Sequence, residues 1–202
     1  MINKELLKQD IDTNHPSNIF NINLENEIVL NDYIIKKYHN FGCISLYKSN
    51  GLSMALDHPG YIFNYANELL DVEFNSILVG GLGIGIVPYL SQDFASVDVI
   101  ENDQYIINIV SQLGHLNESV NIINDDLYTF VPNKTYDIIL LDIWHEVLTE
   151  SNNVRKLEWW DFLNEEKCDE MISKYLPYVN EEGFIYIPIN YGILDNKVKI
   201  YK

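Results

Sequence analysis

From residue 75 onward the chain alternates short apolar runs with amphipathic stretches, and that alternation leaves few folds open. NSILVGG (75–81), SVDVIEND (96–103), VNIIN (120–124), YDIILLD (136–142) and GFIYIPIN (183–190) each read as a buried strand. Between them, IGIVPYLSQDF (84–94), QYIINIVSQLG (104–114) and LEWWDFLNEEKCDEMISKYLPYV (157–179) read as helices. Pro88 falls in a first turn, where a missing N–H costs least, and Gly114 ends the second helix. Strand and helix in turn at this spacing predict a parallel, doubly wound α/β sheet of Rossmann-like type.

Upstream the pattern is different. EIVL (27–30), YIIKKY (33–38), CISLY (43–47) and LSMAL (52–56) are short strands, and Asn50-Gly51 between the last two is a hairpin signal. YIFNYANELLD (61–71) has helical periodicity. The expected organisation is therefore a flexible arm over 1–21, a small β-hairpin region over 22–60 and the Rossmann-like domain over 61–202. After GFIYIPIN there is room for about one more strand, KVKIY (197–201). The sheet is expected to be trimmed at that edge or covered by a second subunit, which predicts a homodimer.

Composition narrows the function classes. With 202 residues and 47% apolar content there is ample material for one core. A formal charge of −17 argues against nucleic acid, which is bound by displacing counterions with a basic face. The two cysteines, Cys43 and Cys168, stand in no metal or disulfide spacing and fit a reducing compartment. MINKELLKQD has no secretory h-region, and no apolar run is long enough to span a bilayer, so a cytoplasmic protein without a membrane partner is expected. No metal site is expected. His15, His39 and His115 are isolated and read as surface or capping residues.

Ligands of open α/β sheets sit beyond the carboxyl ends of the strands. Those ends are Gly81–Gly85, Glu101, Asp125–Asp126 and Asp142–Glu146. Gly81, Gly83 and Gly85 are spaced G-x-G-x-G, with Ile86 where a dinucleotide site has its third glycine. The tighter spacing suits a flat, uncharged nucleoside and its amino-acid tail rather than a pyrophosphate, and no Walker lysine follows. Glu101 stands where such folds place a carboxylate against ribose hydroxyls. Asp126 can accept from an adenine amino group; Asp125 can serve instead or cap the next turn.

Strand–GLGIG–helix, strand–Glu101, strand–Asp126 and YDIILLD ending at Asp142, in this order, resemble the class I S-adenosylmethionine-dependent methyltransferases. Within that superfamily the chain is most similar to the spermidine-synthase-like branch: ILVGGLGIG resembles its VLVIGGGDG, IINDDLYTFV its GDAREFL, and YDIILLDIW its YDVIIVDSSDP. The likeness covers roughly residues 43–190. It implies S-adenosyl-L-methionine as cofactor, held by Gly81, Gly83, Gly85, Glu101, Asp125, Asp126 and Asp142, and methyl transfer to an acceptor the sequence does not identify.

Two departures bear on the alternative, an aminopropyltransferase using decarboxylated S-adenosylmethionine. The branch has an Asp inside the glycine loop where this chain has Ile84, which removes a like-charge penalty against the methionine carboxylate. His145 occupies the place of a second carboxylate, with Glu146 one step later. Asp142, His145 and Glu146 are the candidate catalytic residues, needed as a base only if the acceptor must lose a proton. Trp144 reads as core or as a wall of the pocket, and His58-Pro59-Gly60 with Tyr61 as a turn or an acceptor lid. A third reading is a catalytically inactive binding module on the same fold.

Overall fold

The computed structural model describes residues 20, 22, 24–37, 43–49, 53–57, 72–142, 147–151, 154–158, 165–187 and 198–201. The first unit is an antiparallel meander of β1 (Ile28–Leu30), β2 (Tyr33–Lys37), β3 (Ile44–Lys48) and β4 (Ser53–Leu56), paired in that order. Leu30 faces Tyr33 across a two-residue turn, and Asn31 takes the positive φ of 51° that so tight a reversal demands. The strands flanking Asn50-Gly51 pair antiparallel as expected, although the turn itself lies outside the described residues. The helix expected over 61–71 lies outside them too.

The second unit is a six-stranded sheet in the order β12-β11-β8-β5-β6-β7. It contains β5 (Ser76–Gly80), β6 (Ser96–Glu101), β7 (Val120–Asn124), β8 (Tyr136–Leu141), β11 (Val179–Ile187) and β12 (Val198–Tyr201). Strands β7, β6, β5, β8 and β11 run parallel, and β12 lies antiparallel on β11, matching the one extra strand expected at 197–201. Three crossover helices are described: α1 (Ile86–Ser91), α2 (Gln104–Ser111) and α3 (Glu165–Tyr175). The chain leaves β5 toward β6 on one side and later returns to β8 on the other. That reversal opens a crevice at the carboxyl end of β5. The Rossmann-like doubly wound fold is therefore observed.

Its strands are apolar on both faces, as burial on both sides requires. Ile77, Val79, Val97, Val99, Ile138, Leu140, Phe184 and Tyr186 enter one hydrophobic core; Leu78, Ile100, Ile139, Leu141, Ile185 and Ile187 enter the other. The second core is closed by Met171 and Tyr175 of α3. The first is closed by α1, α2 and the small meander, whose Tyr33, Ile35, Ile44 and Leu46 belong to the same cluster as Ile77 and Val79. The two units share one interior. The Tyr33 hydroxyl also donates to Asp103 Oδ2 at 2.6 Å, pinning the meander to the start of α2. Of the N-terminal arm only Phe20 is described, and it is buried against Tyr89 and His115.

One element differs from the sequence reading. The helix expected from Leu157 begins at Glu165, and Leu157 and Glu158 belong to a strand, β10 (Val154–Glu158). It pairs antiparallel with β9 (Val147–Ser151), a hairpin inserted in the crossover between β8 and α3. Cross-strand pairing, with valine at the head of each strand, prevails there over the local helical period.

Candidate functional site

The residues GLGIG leave β5 as a tight turn in which apolar and glycine positions divide the work. Leu82 and Ile84 are buried in the first core, whereas Gly81, Gly83 and Gly85 take φ values of 93°, 53° and 80°. These are left-handed conformations that cost a side chain about 1–2 kcal/mol each. Two backbone bonds fix the path, Gly81 N–H to Ile100 O and Gly85 N–H to Leu82 O, both at 2.8 Å. A Cβ on Gly85 would lie 2.9 Å from His115 Nε2, and one on Gly83 3.4 Å from the Cβ of Ala55 in β4. The meander thus closes over the turn.

Glu101 ends β6 and is only 7% exposed. Its Oε2 accepts from the Leu82 N–H at 3.0 Å and its Oε1 from the Asp103 N–H at 2.9 Å. One carboxylate therefore ties the glycine turn to the loop that starts α2. Burial pushes its pKa above the ordinary carboxylate value; the backbone N–H groups of Asp103, Leu82 and Asn102 work against that, and the Asp103 charge adds to it. Each carboxylate oxygen has a second lone pair, so acceptor capacity for two hydroxyls remains.

Past β7, Asp126 caps the turn over 126–130. Its Oδ1 accepts from Tyr128 N–H at 2.9 Å, and its carbonyl accepts from Thr129 and Phe130. The capping role left open for Asp125 belongs to Asp126; Asp125 Oδ1 accepts from the N–H of Asp126. Both aspartates are exposed. Their loop is held from beneath: Tyr175 and Lys174 of α3 donate to the Leu127 carbonyl at 2.7 and 3.1 Å. Leu127 itself packs so closely on Gly80 that a Cβ there would stand 2.6 Å from its Cδ2.

Half-buried Asp142 follows β8, and its N–H donates to Gly80 O at 2.9 Å, bringing the end of the fourth parallel strand beside the turn. Across the mouth the order is Asp142, the glycine turn, Glu101, then Asp125 and Asp126, one per strand along β8-β5-β6-β7. At the usual ~4.8 Å between strands this row spans roughly 14 Å, enough for an extended small molecule. His145, Glu146 and Trp144, with His58 to Tyr61, lie outside the described residues. Among the described residues no cluster of His, Cys, Asp and Glu could hold a metal ion, and no helix is long and apolar enough to cross a membrane.

Ile84 is 1% exposed and packs in the core. One reading changes. His115 is half-buried and engaged: its Nε2 lies 2.9 Å from the Ile84 carbonyl, its ring centroid is 4.2 Å from that of Phe20, and burial lowers its pKa to about 4.

No protein-family model matches the chain, and no curated protein matches it. Its fold is similar to that of several solved structures. The plantazolicin methyltransferase BpumL in complex with SAH is 25% identical with a TM-score of 0.42, over 63% of this chain and 43% of that one. The DhpI-SAM-HEP complex is 14% identical with a TM-score of 0.46, over 62% and 52%. The N-methyltransferase NodS from Bradyrhizobium japonicum WM9, in complex with S-adenosyl-l-homocysteine, is 12% identical with a TM-score of 0.43, over 63% and 57%. The chain spans less than two thirds of the length of each.

Proposed function

We propose that this chain is an S-adenosyl-L-methionine-dependent methyltransferase. The observation that carries the reading is Glu101, a nearly buried carboxylate bonded to the middle of a glycine turn at the switch point of a doubly wound sheet. In that place it can take the two hydroxyls of a ribose whose nucleoside lies against the positive-φ glycines. Asp126, or Asp125, stands one strand further on to accept from an adenine amino group.

The charge of the mouth supports this ligand over a phosphorylated one. Residues 80–86, 101–104, 124–128 and 142 contain Glu101, Asp103, Asp125, Asp126 and Asp142 and no lysine or arginine; against these five acids stands Lys174, whose ammonium is bonded to the Leu127 and Tyr128 carbonyls beneath the Asp126 loop. Such a mouth repels a pyrophosphate and attracts a cation such as a sulfonium. When bound, the sulfonium supplies an already activated methyl group. The protein's own task is then to hold donor and acceptor in line. Asp142 follows β8, and His145 and Glu146 come soon after it in the sequence; a carboxylate or imidazole of this set is suited to take a proton from an acceptor that must lose one. The net charge of −17 leaves small molecules or basic protein groups as the acceptor class.

Isothermal titration tests this reading. S-adenosylmethionine or S-adenosylhomocysteine should bind, and Glu101→Ala and Asp126→Ala should each weaken binding. Preference for decarboxylated S-adenosylmethionine would replace the reading with aminopropyl transfer. A chain that binds no adenosyl-sulfur compound would be a binding module that kept only the fold.

A further inference from the structure

We infer that His115 is a positioning residue for the ligand turn: its Nε2–H locks the Ile84–Gly85 peptide and thereby sets how tightly GLGIG takes its nucleoside. The inference rests on the adenosyl-ligand reading above. The first intrahelical bond of α1 runs from Tyr89 N–H to the carbonyl of Gly85, the N-cap residue, at 3.0 Å. Ile84 precedes that cap, so the helix offers its carbonyl no donor. Ile84 is buried, so water does not replace it, and an orphaned buried carbonyl is costly. His115 fills the vacancy from another part of the chain at 2.9 Å.

The tautomer follows from the partner. A carbonyl only accepts, so Nε2 carries the proton and Nδ1 keeps a lone pair. That Nδ1 is buried without a hydrogen-bond partner among the described residues. A phenylalanine would pack against Phe20 and Tyr89 without stranding a nitrogen, so the donor is what distinguishes histidine here. The ring is held on a braced loop. Gln92, which caps the C-terminal end of α1, donates to the His115 carbonyl at 3.1 Å and accepts from Asn117 N–H at 2.7 Å. Ser119 Oγ donates to the Gln92 carbonyl at 2.8 Å.

The lock matters because of what it joins. The peptide that His115 holds by its oxygen donates its own N–H, that of Gly85, to Leu82 O. Leu82 N–H in turn bonds Glu101 Oε2. The run of contacts goes from His115 through the turn to the carboxylate assigned to the ribose. With glycine at φ 80° next to it, the freed peptide has little steric resistance to turning over, and that would swing the Ile84 oxygen around.

The experiment uses the full chain. Titration with S-adenosylhomocysteine is compared across wild type, His115→Phe, His115→Gln and His115→Asn, with melting temperatures taken separately and the imidazole nitrogens read by 15N NMR. Gln carries an N–H as many bonds from Cα as Nε2, whereas Asn carries it one bond short. Loss of the donor in the Phe variant should weaken binding about tenfold, the effect of one hydrogen bond. Gln should restore most of it and Asn should not. NMR should show the proton on Nε2. If wild type and the Phe variant bind alike while the variant melts lower, His115 supports only the fold and the inference falls; a proton on Nδ1 overturns it equally. If the Phe variant does not fold, the Gln and Asn pair decides, equal binding by both refuting the lock. No binding by wild type is a different failure, that of the ligand reading itself.

Discussion

Replacing Glu101 by glutamine changes one oxygen to NH2 and nothing in shape, so it isolates what the carboxylate does for the turn. Both oxygens are in use, Oε2 for Leu82 N–H and Oε1 for Asp103 N–H. An amide has one acceptor, so in either orientation its NH2 faces a backbone N–H and one buried donor is left unmet. That costs about 1–3 kcal/mol. Relief from burying a charge works the other way, since burial raises the pKa of Glu101, and it moves the expectation to about 2 kcal/mol. For a chain of this length such a loss lowers Tm by about 4–8 °C. Scanning calorimetry measures the shift, and amide hydrogen exchange locates it: Leu82 or Asp103 should lose protection. A variant that melts within about 1 °C of wild type, with both amides still protected, would refute the view that this carboxylate ties the turn to β6.

Further predictions come from other contacts. Asp57 is fully buried, with Oδ1 accepting from Ile44 N–H at 2.6 Å and Oδ2 without a hydrogen-bond partner among the described residues; burial pushes it from 3.8 up to about 7. The folded state then holds this proton more tightly than the unfolded chain. Stability from this group is gained as pH falls from about 7 to about 4, an effect of roughly 4 kcal/mol. Urea titrations between pH 5 and 8.5 should show Asp57→Asn gaining on wild type as pH rises; a constant difference would refute it. His115 acts in the opposite sense: lowered from 6.5 to about 4, its contribution is intact above 6.5 and lost as pH falls toward 4, which the His115→Phe variant should not show. Gly85→Ala should destabilise more than Gly83→Ala, because its Cβ would meet His115 Nε2 at 2.9 Å rather than Ala55 at 3.4 Å; equal losses in thermal melts would contradict that. Tyr33→Phe should cost about 1 kcal/mol in urea by deleting the bond to Asp103, and an unchanged midpoint would count against it.

The parallel strands were legible because burial on both faces makes each an unbroken apolar run, as in Ile77 to Val79 or Ile138 to Leu141. The site's outline was legible for a related reason: the crevice position follows from strand order, and Glu101, Asp126 and Asp142 each stand where a strand ends. The hairpin of β9 and β10 was hidden, since its pairing is a relation between segments and Leu157 fits a helical period as well as a strand. The inward duties of the site were hidden for the same cause. Nothing near Glu101 announces that its oxygens are engaged by Leu82 and Asp103, and nothing near His115 points across the chain to Ile84.

The mingling of Ile35, Ile44 and Leu46 with the aliphatic residues of β5 and β6 has a practical consequence. A recombinant fragment cut to start at β5 would present a greasy slab to solvent and should clump instead of remaining dispersed. Grafting, swapping or shortening this protein therefore has to treat the front meander and the wound sheet as a single indivisible piece.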